Sequence, residues 1–351
     1  MTGTSRLRLG VCLSLTGRHA RFGRQARAGL EVWNGFEPAV DLFIEDDQSD
    51  PRGFGAVFRR LASKCDILLG PYSTQLMRRA GDAAAELDRL VWNHGGAGDD
   101  VQAAHPGHVV SVLTPTSRYA ERFLLHLARS RTSDRLWIVR GKGSFGRQVA
   151  DGAGSMAREF GIDTGYPGRG EGIPVGTGWS LLCAGSFEED VSAVEWARGL
   201  PTPPRTICAV AAGVLDFGEA VSRPEGVYGI GQWFPGARGR AELGLDESVF
   251  LAGYRERAGA LPDYPAAQAA ATAAVATHCA RLAGSTSRDS LWEAASELDT
   301  TTFFGRFKID PYSGVQVGHE PGLVRWGSHS AYGHQGDAGG GHGQAQALDD
   351  A

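Results

Sequence analysis

Two short loops of this chain carry residue types suited to holding a small, oxygen-bearing molecule. Tyr72-Ser73-Thr74 offers a phenol and two hydroxyls. His94-Gly95-Gly96-Ala97 offers an imidazole and backbone N–H groups that two glycines leave open to close approach. Each loop follows an apolar run, and the first opens a helical pattern. Free N–H groups and the positive end of a helix dipole should there favour a carboxylate or carbonyl oxygen. Ser73 or Thr74 also suits a helix N-cap, and one hydroxyl can cap while its neighbour binds.

Catalytic chemistry is harder to assemble. Ser144, in GKGSFG, does not sit in a GxSxG nucleophile elbow, and the same segment lacks the spacing of a phosphate-binding loop. His94 follows a strand and could act as a base, but no Ser or Cys in an activated context pairs with it; a loop histidine or ligand contact is the better reading. Asp46, Asp47 and Asp50 could be taken for a metal cluster. The five cysteines, Cys12, Cys65, Cys183, Cys208 and Cys279, show no CxxC spacing. Cys12 and Cys208 lie in apolar runs and read as buried thiols. No cofactor and no metal ion is expected.

Composition points the same way. Of 351 residues, 42% are hydrophobic and 21% charged, which fits a soluble globular chain long enough for two domains. A net charge of −5 gives no electrostatic footprint for nucleic acid or an anionic membrane. No stretch approaches the length of a membrane span. The apolar run from Val11 to Leu15 is too short for a secretory h-region and reads as a first strand, so the chain as written implies a cytoplasmic protein if its start is correct.

The loops must be positioned by alternating strands and helices. Residues 7–15, 40–47, 65–70 and 89–94 read as strands, separated by helices over 24–33, 54–64 and 74–87. A second series runs from a helix at 118–130 through strands 135–141, 179–185, 205–213 and 226–233, with helices 146–160, 188–199 and 215–222 between them. This order implies α/β architecture with two doubly wound parallel sheets. Helices 246–259, 264–283 and 288–298 follow, then a β-ribbon over 303–326 with a turn at Pro311–Gly314. From Gly327 the composition collapses to Gly, His, Gln, Ala and Asp, and residues 327–351 are expected to be a disordered tail. His329, His334 and His342 in that tail could bind metal weakly; a solvated tail is the simpler reading.

Six segments, in this order, resemble the branched-chain amino-acid-binding (leucine/isoleucine/valine) family of transporter receptors, which have the type I periplasmic-binding-protein fold. They are LGVCLSLTGRHARFGRQARAGLEVWN, FIEDDQSDPRGF, ILLGPYSTQ, GSFGRQVADG, LPDYPAAQAAATA and FFGRFKIDPYSGVQVGHEPGLVRW. The resemblance covers residues 6–326. It implies two lobes joined by a three-crossover hinge, the first comprising 6–117 and 240–304 and the second 118–239 and 305–326. It also makes the Asp46–Asp50 stretch a structural Asp-Pro turn.

By the same resemblance, ligand contacts fall at Ser73 or Thr74 and at Gly95, Gly96 and Ala97, with aromatic walls at Phe22 and Phe145. Tyr72, His94, Val214, Gln232 and Trp233 complete the expected site. The family's acid for a ligand ammonium should stand near the end of strand 226–233, where this chain has Gln232-Trp233. An unpaired cation is costly in a dry cleft. A neutral amide, a urea-like compound or an aromatic acid is therefore an alternative to an amino acid. The implied function is a receptor of the periplasm or cell envelope that closes on its solute and delivers it to an ABC permease. A cytoplasmic sensor of the same fold, like the amide-sensing regulators of amidase operons, is the alternative; a hydrolase is a distant third.

Overall fold

The computed structural model describes residues 6–130, 135–167, 178–236, 240–327 and, as backbone, 344–347. The chain divides into two compact units, 1–115 with 238–320 and 116–237 with 321–351, so it passes between them three times.

The first unit begins with β1 (Leu7–Leu13), α1 (Ala20–Gly35), β2 (Val40–Asp46), α2 (Phe54–Ala62), β3 (Ile67–Leu69), α3 (Thr74–Glu86), β4 (Val91–Asn93), α4 (Asp99–Gln102) and β5 (Val109–Ser111). The second is built from α5 (Glu121–Ser130), β6 (Arg135–Arg140), α6 (Ser144–Glu159), β7 (Thr164–Gly165), β8 (Trp179–Ala184), α7 (Phe187–Arg198), β9 (Thr206–Ala209), α8 (Phe217–Ala220) and β10 (Tyr228–Gly231). The chain returns to the first unit through α9 (Glu247–Ala258), α10 (Tyr264–Ala283), α11 (Arg288–Glu297), β11 (Thr300–Thr302) and β12 (Gly305–Phe307). It ends in the second with β13 (Gly322–Gly327) and β14 (Gln344–Ala347).

The first sheet has the order β2-β1-β3-β4-β5, and its neighbouring strands are parallel. Its central strands are buried on both faces, which is why they read as continuous apolar runs. Cys12, Leu68 and Val91 pack with Phe58 and Leu61 of α2 and with Leu76 and Ala80 of α3. Alternation turns Leu9, Val11 and Leu69 to the opposite face. There α1 crosses α10, a helix made largely of alanine and buried on nearly every side.

Small residues let the two helix backbones meet. A Cβ on Gly29 would stand 2.3 Å from the Ala266 carbonyl oxygen. Because the obstacle is backbone, it cannot rotate away. Gly29→Ala is therefore expected to destabilise the protein by about 3 kcal/mol. Chemical denaturation of the variant beside the parent checks this; an unchanged midpoint would show that the helices can separate at no cost.

The second sheet has the order β14-β13-β10-β9-β8-β6-β7. The strands β6 to β10 are parallel, and β13 joins β10 antiparallel. Its core gathers Leu181, Val194, Ile207, Phe217, Phe234 and Trp326. The Trp326 indole N–H donates to the Ala212 carbonyl at 2.8 Å, fixing β13 to the turn that follows β9.

Three expectations need correction. The ribbon expected over 303–326 divides: β12 pairs with β11 in the first unit, β13 pairs with β10 in the second, and residues 305–320 cluster with the first unit. The hairpin turn itself is present, with an Ile309–Gln316 bridge and the Gly314 N–H donating to the Asp310 carbonyl at 2.9 Å. His319 then holds that segment in place, its ring bonded to Thr114 Oγ1 at 2.7 Å. The helix expected over 215–222 shortens to the four residues of α8. In the tail, Gln344–Ala347 forms β14 on the open edge of β13, where backbone groups template pairing whatever the side chains. The rest of the tail, including His329, His334 and His342, lies outside the described residues.

Candidate functional site

In open α/β sheets, groups that bind small molecules gather beyond the carboxyl ends of the strands. At that edge of the first unit, Phe22 from α1 stacks on Tyr72 with ring centroids 4.6 Å apart, and both are half-buried. The Tyr72 hydroxyl meets that of Tyr264, at the start of α10, at 2.9 Å. The Arg21 guanidinium lies 4.5 Å from the Phe22 ring centre. These groups make an aromatic shelf with a cation at its margin. Ser73 beside it has φ 92°, a left-handed value unusual for a residue with a side chain. Its Oγ caps α3 by accepting from the Leu76 N–H at 3.3 Å. Thr74, next in line, is buried.

The second loop is organised by a residue that the sequence did not single out. Asn93 Oδ1 accepts from the N–H groups of Gly95 at 3.2 Å and Gly96 at 2.8 Å. Its Nδ2 donates to the Gly96 carbonyl and to Ser111 Oγ. The Gly95 carbonyl in turn accepts from the Ser73 N–H at 3.0 Å, locking the two loops together. The glycines are needed for this packing. A Cβ on Gly95 would lie 2.5 Å from Tyr72 Cα, and one on Gly96 would lie 2.5 Å from Met77 Cβ. The Gly95 and Gly96 N–H groups, expected to face a ligand oxygen, are thus directed at Asn93. Ala97 is buried in the same loop.

His94 turns inward. It is 0% exposed, and neither ring nitrogen has a hydrogen-bond partner among the described residues. Burial pulls its pKa down to about 4, partly offset by nearby backbone at Gly70 and at His94 itself. A neutral, enclosed imidazole is not a general base open to a substrate.

In the second unit, Phe145 in the first turn of α6 meets Tyr119 edge-on at 5.6 Å and is half-buried. Val214 follows the turn Ala211–Gly213, and Gln232 and Trp233 follow β10; all three are buried. The unit does hold a buried acid at this edge: Asp190, in the first turn of α7, accepts from the Ala211 N–H at 3.0 Å. Burial pushes its pKa up to about 7. In the sequence it was one of three consecutive acids in FEED, indistinguishable from ordinary first-turn acids.

The remaining chemistry-bearing groups serve the fold. Asp46 accepts from the N–H groups of Leu15 and Gln48 and from the Thr16 hydroxyl. Asp47 accepts from Ser14 Oγ at 2.6 Å, and Asp50 from the N–H groups of Arg52 and Gly53. All five cysteines are buried and unpaired, and burial raises each thiol's pKa.

Two doubly wound units traversed three times constitute the type I periplasmic-binding-protein fold. The model of the periplasmic binding protein family matches residues 6–172. No curated protein matches the chain. Among solved structures, a leucine-binding protein from Thermotoga maritima is 16% identical, with a TM-score of 0.75 over 91% of this chain and 95% of that one. A branched-chain amino-acid transporter substrate-binding protein from Streptococcus pneumoniae, in complex with isoleucine, is 13% identical, with a TM-score of 0.71 over 98% and 99%. A solute-binding protein of an ABC transporter from Rhodopseudomonas palustris, in complex with 3,4-dihydroxybenzoic acid, is 12% identical, with a TM-score of 0.77 over 98% and 97%. At these identities the likeness is one of fold, and it agrees with the resemblance carried by the six sequence segments. No helix among the described residues is long and apolar enough to cross a membrane.

Proposed function

We propose that this chain is a solute receptor that binds a small polar molecule without transforming it and hands it to an ABC importer at the cell envelope. The observation that carries the reading is the half-buried Phe22–Tyr72 stack, with Ser73 and Thr74 beside it, at the carboxyl edge of a sheet of this fold. An aromatic shelf with adjoining hydroxyls takes the apolar body and an oxygen of a solute. Asp190, the buried acid at this edge of the second unit, is enclosed and bonded to backbone, so the reading asks for no ammonium on the solute. Aromatic and aliphatic acids fit this chemistry as well as amino acids do.

The test is a thermal-shift panel of L-leucine, its des-amino analogue 4-methylpentanoate, benzoate and acetamide. A bound member at 100 times its dissociation constant adds about 2.7 kcal/mol of stability. At least one member lacking an ammonium is expected to bind as tightly as leucine and to be recovered chemically unchanged. Tight binding of leucine with no response to the other three would overturn the assignment of solute class. Turnover of a bound member would overturn the receptor itself.

A further inference from the structure

Two neighbouring acids of α7 tie down the carboxyl edge of the second sheet. Glu189 closes a capping box with Ser186, accepting from the Ser186 N–H at 3.0 Å, and also accepts from the Lys142 N–H at 3.1 Å. Asp190 accepts from the Ala211 N–H at 3.0 Å. Lys142 lies between β6 and α6, Ser186 between β8 and α7, and Ala211 just after β9. Two consecutive side chains thus bridge connections leaving three strands. Sockets are built for them. A Cβ on Gly185 would lie 2.9 Å from Asp190 Oδ1, and one on Gly141 would lie 2.8 Å from Glu189 Oε2. Two of the tied connections lead, three residues on, to Phe145 and Val214.

We propose that Asp190 is a positioning residue whose ionisation tightens the Ala211–Val214 turn, so that solute affinity rises with pH. This rests on the reading that Val214 belongs to the solute site. The N–H···O bond to Ala211 is stronger when its acceptor is charged. The titratable groups acting on Asp190 are Glu189 from its own helix, Cys183 from β8 and Cys208 from β9; both thiols are kept neutral by burial. The packed α8 carries Glu219, and Lys142 acts on Glu189. Burial holds the Asp190 proton near neutrality. The Ala211, Gly185 and Val210 N–H groups favour the anion, while the Glu189 charge disfavours it. Ionisation therefore strengthens the local anchor while it burdens the fold with a buried charge. An acid with a merely structural role would not move local protection and global stability in opposite directions.

Hydrogen exchange of the solute-free full chain tests this without any ligand. After correction for intrinsic rates, the Ala211–Val214 amides are expected to be about tenfold better protected at pH 8 than at pH 6. Asp190→Asn, which keeps an acceptor but cannot ionise, should abolish the difference, and Glu189→Gln, which removes a charge that disfavours the Asp190 anion, should move its midpoint to lower pH. Equal protection at the two pH values, or a difference that survives in Asp190→Asn, overturns the inference. Calorimetric titrations with L-leucine and benzoate supply the second arm. A member that binds should bind several-fold tighter at pH 8 in the parent and equally in Asp190→Asn. Binding that ignores pH while protection follows it would overturn the link to affinity. Failure of both solutes to bind would count against the receptor reading and leave the exchange result to decide the role of Asp190.

Discussion

Raising the pH from 4 to 8 is expected to cost the second unit about 4 kcal/mol through Asp190 alone. The unfolded chain releases this proton near the ordinary 3.8, whereas the folded chain keeps it up to about 7 because the carboxyl is enclosed. Below the unfolded value both states are protonated and the stability is fully present. Between the two values only the unfolded state ionises, so stability falls with each rise in pH. Above the folded value both are ionised, and the fold carries an enclosed anion. Asp190→Asn should therefore be more stable than the parent at pH 8 and lack this decline. Glu189 and Glu195, held below the ordinary range by the hydrogen bonds they accept, give smaller slopes of opposite sign in parent and variant alike. Urea denaturation of both proteins across this range, reported as the difference between them, isolates the contribution. Parallel curves would mean that Asp190 is ionised throughout.

The fold was legible because most βα steps are local. An apolar strand, a turn and an amphipathic helix are written in adjacent residues, and six such segments in order carry the family resemblance. What the sequence hid were pairings between distant residues. Nothing in FFGRFKIDPYSGVQVGHEPGLVRW marks where the ribbon leaves one unit for the other; that depends on Thr114 receiving His319 and on Ala212 receiving the Trp326 indole. The site was half legible for the same reason. Ser73 as a cap follows from its place before α3, but the Tyr72–Tyr264 contact joins residues 192 positions apart. Asn93 looked like the end of a strand, yet it holds the next loop with four hydrogen bonds that include Ser111. Gly95 and Gly96 read in the sequence as places where a ligand could approach the backbone, whereas in the fold the neighbouring loop and the Met77 side chain approach them.

Acidification from pH 7 to 4 is expected to cost the first unit about 3 kcal/mol through His94, the opposite sign to the second unit. Here the folded pKa is depressed: the unfolded chain takes up a proton near 6.5, while the enclosed imidazole resists until about 4. The stability is fully present above the unfolded value and is lost as the pH falls toward the folded one. His94→Leu removes the titration and an enclosed polar group that has no partner among the described residues, so it should be at least as stable as the parent at pH 7 and markedly more stable at pH 4.5. His105 and His108, which are paired with Asp82 and the Arg89 carbonyl, remain in both proteins and cancel in the comparison. The opposing slopes give the double variant a distinct signature. With Asp190→Asn and His94→Leu combined, both of these contributions to the pH dependence of global stability between 4 and 8 should be absent, leaving the slopes that the other shifted groups give. With either alone the pH dependence should tilt, toward acid loss for Asp190→Asn and toward alkaline loss for His94→Leu. Hydrogen exchange in the β4 and β9 core amides assigns each slope to its unit. A His94→Leu variant that loses stability on acidification as steeply as the parent would show that the imidazole is protonated in the folded state and that its surroundings open to water.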